Sequence, residues 1–205
     1  MDATMPRILA VCTGNICRSP AIERLLAAGL PGLALIGSAG TAAVVGAPIA
    51  RPMRVLLYEA GADTANFAAR QITAALIDQA DLVLTASTTH RSTIVDLQPT
   101  AVHRTFTLLE FTASTQSANP TRLAGHTMPE RLEVLIRHAR HARPKLRLTD
   151  PDIPDPYLQP NEVYDAVFAQ ISEAVEVIAK ALTSADDTPK ETLIRGSGAL
   201  ITSVR

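Results

Sequence analysis

Tryptophan is missing from the 205 residues, and all aromatics together make up 3 % of the chain. Stacking platforms for sugars or single-stranded nucleic acid are therefore scarce. Cysteine is almost as rare. Cys12 and Cys17 are the whole set, too few for a disulfide framework. No apolar run is long enough to span a bilayer, and no long apolar leader opens the sequence. Together these features set the expectation of a cytoplasmic, reducing home without a membrane partner. Neither sign of charge is in excess, since 19 Lys and Arg face 20 Asp and Glu for a formal net charge of -1. A general nucleic-acid binder would show a basic surplus, so no nucleic-acid partner is expected. The five histidines (His90, His103, His126, His138, His141) show no metal-ligand spacing and no pairing with a cysteine; they read as surface or capping side chains. What is plentiful is apolar side chain, 47 % against 19 % charged, enough for the core of one sizeable domain.

Periodicity divides that apolar content into alternating strands and helices. Arg7–Cys12 reads as a buried strand, and Pro20–Gly29 as a helix with Ile22, Leu25, Leu26 and Leu30 on one face. Ser19 is placed to cap that helix, and Pro20 suits its first turn. Strands are expected again over residues 33–41, 81–87 and 102–108. Helices are expected over 53–60, 73–79, 90–97, 130–142 and 162–182. The Ser/Thr/Pro/Gly/Asn-rich stretch 112–128 reads as loop, and "LRLTDPDIPDPYLQP" has four prolines and no regular structure. The pattern predicts an α/β fold: a single-domain, doubly wound, four-stranded parallel sheet with helices on both faces. Residues 1–182 form the expected catalytic domain, and 183–205 a polar tail. Ligands of such a sheet sit at the carboxyl ends of its strands.

Cys12 lies at such an end, immediately before a helix N-terminus. Amide groups of a tight strand-to-helix turn form a nest for anions, and the following helix adds its positive end. Gly14 and Asn15 tolerate left-handed backbone angles. Arg18 supplies a planar fork matched to phosphate oxygens. A thiol in this electropositive cup is favoured as the thiolate, an in-line nucleophile toward a bound phosphoryl group. The Ser19 hydroxyl can donate to that thiolate. The set points to phosphoryl transfer from an ester to sulfur and then to water. A leaving alkoxide or phenoxide needs a proton donor. Asp155, stiffened by Pro154 and Pro156 and followed by Tyr157, offers one; Asp150 and Asp152 are its rivals.

The run Cys12-Thr13-Gly14-Asn15-Ile16-Cys17-Arg18-Ser19-Pro20 resembles the signature loop of the low-molecular-weight protein tyrosine phosphatases. Asp155-Pro156-Tyr157 resembles that family's general-acid loop. Ser38-Ala39-Gly40-Thr41, Ala69-Arg70-Gln71 and Ala80–Ser87 fall between them in family order. The resemblance implies hydrolysis of phosphotyrosine in proteins through a cysteinyl-phosphate, without metal or other cofactor. It implies Cys12 as nucleophile, Arg18 as phosphate clamp and Asp155 as acid and then base. Thr13, Gly14, Asn15, Ile16, Cys17, Ser19, Ser38 and Tyr157 would bind or frame the substrate, with Asn15, Ser19 and Ser38 as a hydrogen-bond network shaping the loop. A phosphate or sulfate anion would sit in the loop. This chain has Ala42, Ala43 and Val44 where members often carry an aromatic wall, and Phe67 where some carry a histidine. Cys17 reads equally as core filler and as redox partner of Cys12. Small phosphate esters, arsenate reduction and non-catalytic phosphate binding are the alternative functions. A cysteine relay for reduction would need thiols beyond Cys17, and the chain has none.

Overall fold

The computed structural model describes residues 5–183. Four parallel strands form one sheet: β1 (Arg7–Cys12), β2 (Leu35–Gly40), β3 (Leu82–Thr85) and β4 (Thr105–Thr107), in the order β2-β1-β3-β4. Seven α-helices surround them: α1 (Arg18–Gly29), α2 (Arg51–Glu59), α3 (Ala74–Asp78), α4 (Thr88–Leu97), α5 (Leu108–Gln116), α6 (Met128–Ala142) and α7 (Asn161–Leu182).

The period-two alternation of a strand decides which face each side chain serves. Ile8 and Ala10 of β1, with Leu82 and Leu84 of β3, join a large core with Ile22, Leu26, Phe106, Phe111, Ile171 and Ile178. Leu9 and Val11, with Val83, join a smaller core with Ile77, Ile94 and Ala101 on the opposite face. Both faces are covered, as a parallel sheet requires. At about 1.5–3 kcal/mol for each large side chain removed from water, these two layers hold the strands in register. That register brings Cys12 level with Gly40, so the carboxyl ends of β1 and β2 finish together.

Three local expectations change. The Ser/Thr-rich stretch is largely helical as far as Gln116. Thr107 and Glu110 form a capping box at the start of α5, and Thr112, Ser114 and Thr115 return their hydroxyls to carbonyls four residues back. Ser19 is not a cap: α1 begins at Arg18 with Cys17 at its N-cap, and no side chain caps it. The fourth strand shrinks to three residues because Pro99–Arg104 winds into a 3-10 helix ahead of it. The expected polar tail lies outside the described residues from position 184 on.

Candidate active site

Between the end of β1 and the start of α1 the chain turns so that its carbonyls face outward. Segment 41–50 collects them. Thr41 N–H donates to the Cys12 carbonyl, Ala42 to Thr13, Val44 to Gly14 and Ala50 to Ile16, at 2.8–3.0 Å. With the carbonyls held there, no acceptor among the described residues takes the N–H groups of Thr13, Gly14, Ile16 or Cys17. Unpartnered amides ahead of a helix N-terminus have the chemistry of an anion nest. Asn15 alone takes the left-handed conformation, at φ 54°. Gly14, which tolerates such angles, does not adopt one. A β-carbon on Gly14 would meet Ile16 Cγ1 at 3.3 Å and Val44 Cγ2 at 3.8 Å.

Asn15 is wholly buried, and both polar atoms of its side-chain amide are used. Nδ2 donates to Ser19 Oγ at 3.0 Å and to Ser38 Oγ at 2.8 Å, while Oδ1 accepts the Arg70 N–H at 2.9 Å. The Ser38 hydroxyl in turn donates to Glu23. Ser19 Oγ lies 2.9 Å from Cys12 Sγ, within hydrogen-bond reach of the sulfur. Asn15, Ser19 and Ser38 thus frame the loop from behind, and none of the three lines the cleft. Ala69-Arg70-Gln71 belongs to this frame. The Arg70 carbonyl accepts the Gly40 N–H, Arg70 Nε donates to the Ser38 carbonyl, and the Gln71 amide donates to the Thr41 carbonyl.

The cleft over the loop encloses about 210 Å³, bounded by Cys12, Thr13, Gly14, Ile16, Cys17, Arg18, Ala42, Val44, Asp155 and Tyr157. Arg18 is 5 % exposed. Its Nη1 donates to the Ile153 carbonyl at 3.1 Å, and its Nη2 lies 2.6 Å from Asp155 Oδ2. Its buried Nε has no partner among the described residues, a donor left for an oxyanion. The Asp155 side chain is half exposed at the mouth of the cleft. Its rivals are engaged elsewhere. Asp152 accepts both the N–H and the hydroxyl of Thr88, and Asp150 accepts the Asp152 N–H. Tyr157 forms one exposed wall, and Ala42 with Val44 the other.

Cys17 fits its reading as core filler, and one histidine departs from its sequence reading. Cys17 turns its thiol into the large core, 3.9 Å from the Tyr164 hydroxyl, so only its main chain faces an anion. Burial pushes that thiol up to about 11. His90 is not a surface residue. It is 6 % exposed, with Nε2 2.8 Å from Thr13 Oγ1 and Nδ1 2.7 Å from Ser87 Oγ. The Ser-x-x-His spacing at the start of α4 carried this signal, because it marks a capping serine with the histidine one turn on.

A profile of the low molecular weight phosphotyrosine protein phosphatases matches residues 7–123, which include the anion loop and its supports. The chain is 34 % identical over 140 residues to a probable low molecular weight protein-tyrosine-phosphatase, EpsP, of Ralstonia nicotianae, covering 68 % of this chain and 95 % of that one. Its fold is similar to the tyrosine phosphatase Wzb of Escherichia coli K30, solved with sulphate (TM-score 0.65, 26 % identity, 88 % of this chain and 100 % of that one). The YwlE arginine phosphatase of Geobacillus stearothermophilus is also similar (TM-score 0.64, 31 % identity, 86 % and 92 %). The profile match over more than half of the chain, with the 34 % identity to EpsP, shows that the chain belongs to the low molecular weight phosphotyrosine protein phosphatase family.

Proposed function

We propose that the protein hydrolyses phosphotyrosine in proteins, with Cys12 as nucleophile, Arg18 as clamp and Asp155 as acid and then base. The observation that carries this reading is the cup itself. Cys12 sulfur lies at its floor beside a serine hydroxyl, free amides surround it, and a buried arginine has an unmatched Nε. A phosphoryl group bound there presents its phosphorus to the sulfur. Sulfur attacks, the ester bond breaks, and Asp155 delivers a proton to the departing oxygen. Asp155 then takes a proton from the water that cleaves the S–P bond, while Ser19 steadies the leaving thiolate. Arg18 and the amides hold the equatorial oxygens throughout.

The walls favour an aromatic ester. Ile16, Ala42 and Val44 are apolar and Tyr157 is aromatic, which suits a flat ring more than a charged guanidinium. The likeness to an arginine phosphatase makes phosphoarginine the natural competitor. Parallel turnover of a phosphotyrosine peptide, a phosphoarginine peptide, p-nitrophenyl phosphate and arsenate tests the assignment. Preference for the phosphotyrosine peptide in kcat/KM supports it. Equal or greater turnover of phosphoarginine reassigns the substrate, and reduction of arsenate reassigns the class. The reducing surroundings that a catalytic thiol needs support a cytoplasmic location.

A further inference from the structure

His90 lies outside the cup and is not one of the groups that the reaction requires. Yet both of its ring nitrogens are engaged, and they join two separate parts of the site. Nε2 meets Thr13, the first residue of the anion loop, and Nδ1 meets Ser87, the residue that caps α4. Ser87 Oγ also accepts the His90 main-chain N–H, so the imidazole is fixed at its base as well as at its tips. A neutral imidazole has one donor and one acceptor, so the two hydroxyls take opposite roles and the chain of bonds has a direction. Burial first, and then the Arg18 charge, hold His90 neutral by lowering it to about 4, with Asp155 and Asp152 opposing.

The start of α4 carries the acid segment as well. Thr88 binds Asp152 through its N–H and its hydroxyl, and the Ile153 N–H donates to the Ala86 carbonyl at 2.8 Å. The anion loop is secured on its other side by segment 41–50, through main-chain carbonyls alone. His90 provides the side-chain bond from Thr13 to the element on which the Asp155 segment rests.

From this geometry we infer that His90 is a positioning residue for phosphoryl transfer: through Thr13 it fixes the nucleophile loop against the α4 platform that carries the acid. The inference rests on the phosphatase reading above. Arg18 and the main-chain amides of Thr13, Gly14, Ile16 and Cys17 bind the anion without the imidazole. Its loss therefore falls on turnover, which needs sulfur and acid in register, and leaves ground-state anion binding in place.

The test uses His90→Leu, His90→Gln, Thr13→Val and the double variant His90→Leu/Thr13→Val in the full chain. With p-nitrophenyl phosphate, His90→Leu and Thr13→Val each lower kcat about tenfold, and the double variant loses no more than either single, because both remove one bond. Competitive inhibition by inorganic phosphate stays within about twofold of wild type, and His90→Gln, which retains an amide toward Thr13, recovers most of the turnover. Amide exchange rises in His90→Leu at Ala42 and Val44, whose N–H groups donate to the Thr13 and Gly14 carbonyls. Additive losses, a Thr13→Val protein with wild-type kcat, or failure of His90→Gln to recover activity each overturn the inference. Weakened phosphate inhibition in parallel with kcat does so too, since it marks a general structural role. Should the wild type turn over no phosphate ester, the phosphatase reading falls; the exchange measurement still decides whether His90 anchors the loop.

Discussion

At the scale of single residues the site divides into groups that touch the anion and groups that hold those in place. Cys12→Ser removes the nucleophile but leaves the amides and Arg18, so turnover of p-nitrophenyl phosphate is abolished while phosphate still binds by calorimetry. Arg18→Lys keeps the charge and loses the fork; it sacrifices the bond to Ile153 along with the match to two phosphate oxygens, and kcat/KM falls steeply. Asp155→Asn lowers turnover of alkyl phosphates by ~10²–10⁴-fold and of p-nitrophenyl phosphate by less, because an activated phenoxide leaves without a proton. A leaving-group series measures this, and equal losses across it would assign the acid elsewhere. The two thiols are also distinguishable. Cys17 is buried and pushed up to about 11, so it stays protonated near neutrality. Iodoacetamide therefore alkylates Cys12 first in the native protein, as peptide mass spectrometry reads, and reaches Cys17 only on unfolding.

At the scale of elements, the strand-loop-helix around Cys12 was legible in outline, because residues 8–12 form an apolar buried run, although the helix begins at Arg18 and Ser19 does not cap it. Helix α5 was hidden. Ser and Thr usually mark loops because their hydroxyls compete for main-chain groups. Here those hydroxyls bond the preceding turn of their own helix, so Thr112, Ser114 and Thr115 are satisfied and buried. His90 was missed for another reason: the Ser-x-x-His spacing marks only its bond to the helix cap, and Thr13, its other partner, lies 77 positions away on a separate element. The packing of β2 against the loop yields a prediction of its own. A β-carbon on Gly40 would stand 2.4 Å from the Thr13 carbonyl oxygen and 3.0 Å from Ala43, both rigidly placed. Gly40→Ala therefore lowers stability to urea by at least about 1–3 kcal/mol and disturbs the anion loop. Gly37→Ala, opposed mainly by the terminal nitrogen of Arg70, is milder. Similar urea midpoints for the two variants would contradict this difference.

Across the whole molecule, acid sensitivity follows from one buried imidazole. Unfolded, His90 takes up its proton near 6.5; folded, it resists until about 4. Between those values the unfolded chain binds more protons, so the stability present above pH 6.5 is lost as pH falls toward 4. His90→Gln flattens that part of the stability-against-pH curve, read from urea midpoints at intervals of pH. An unchanged slope would mean that carboxylates alone carry it. The sheet and its two cores were legible as alternating apolar runs. The way the anion loop meets the Asp155 segment over the cup was not, because it depends on contacts remote in sequence. The Arg18 bond to the Ile153 carbonyl spans 135 positions, and the Cys17 contact with Tyr164 spans 147. Closing loops of that size is slow, and local structure can form well ahead of it. During synthesis, then, the anion loop and its supports emerge long before the acid. A nascent chain lacking its last third would have the nucleophile without the proton donor, and competence would arrive only after α7 packs on α1.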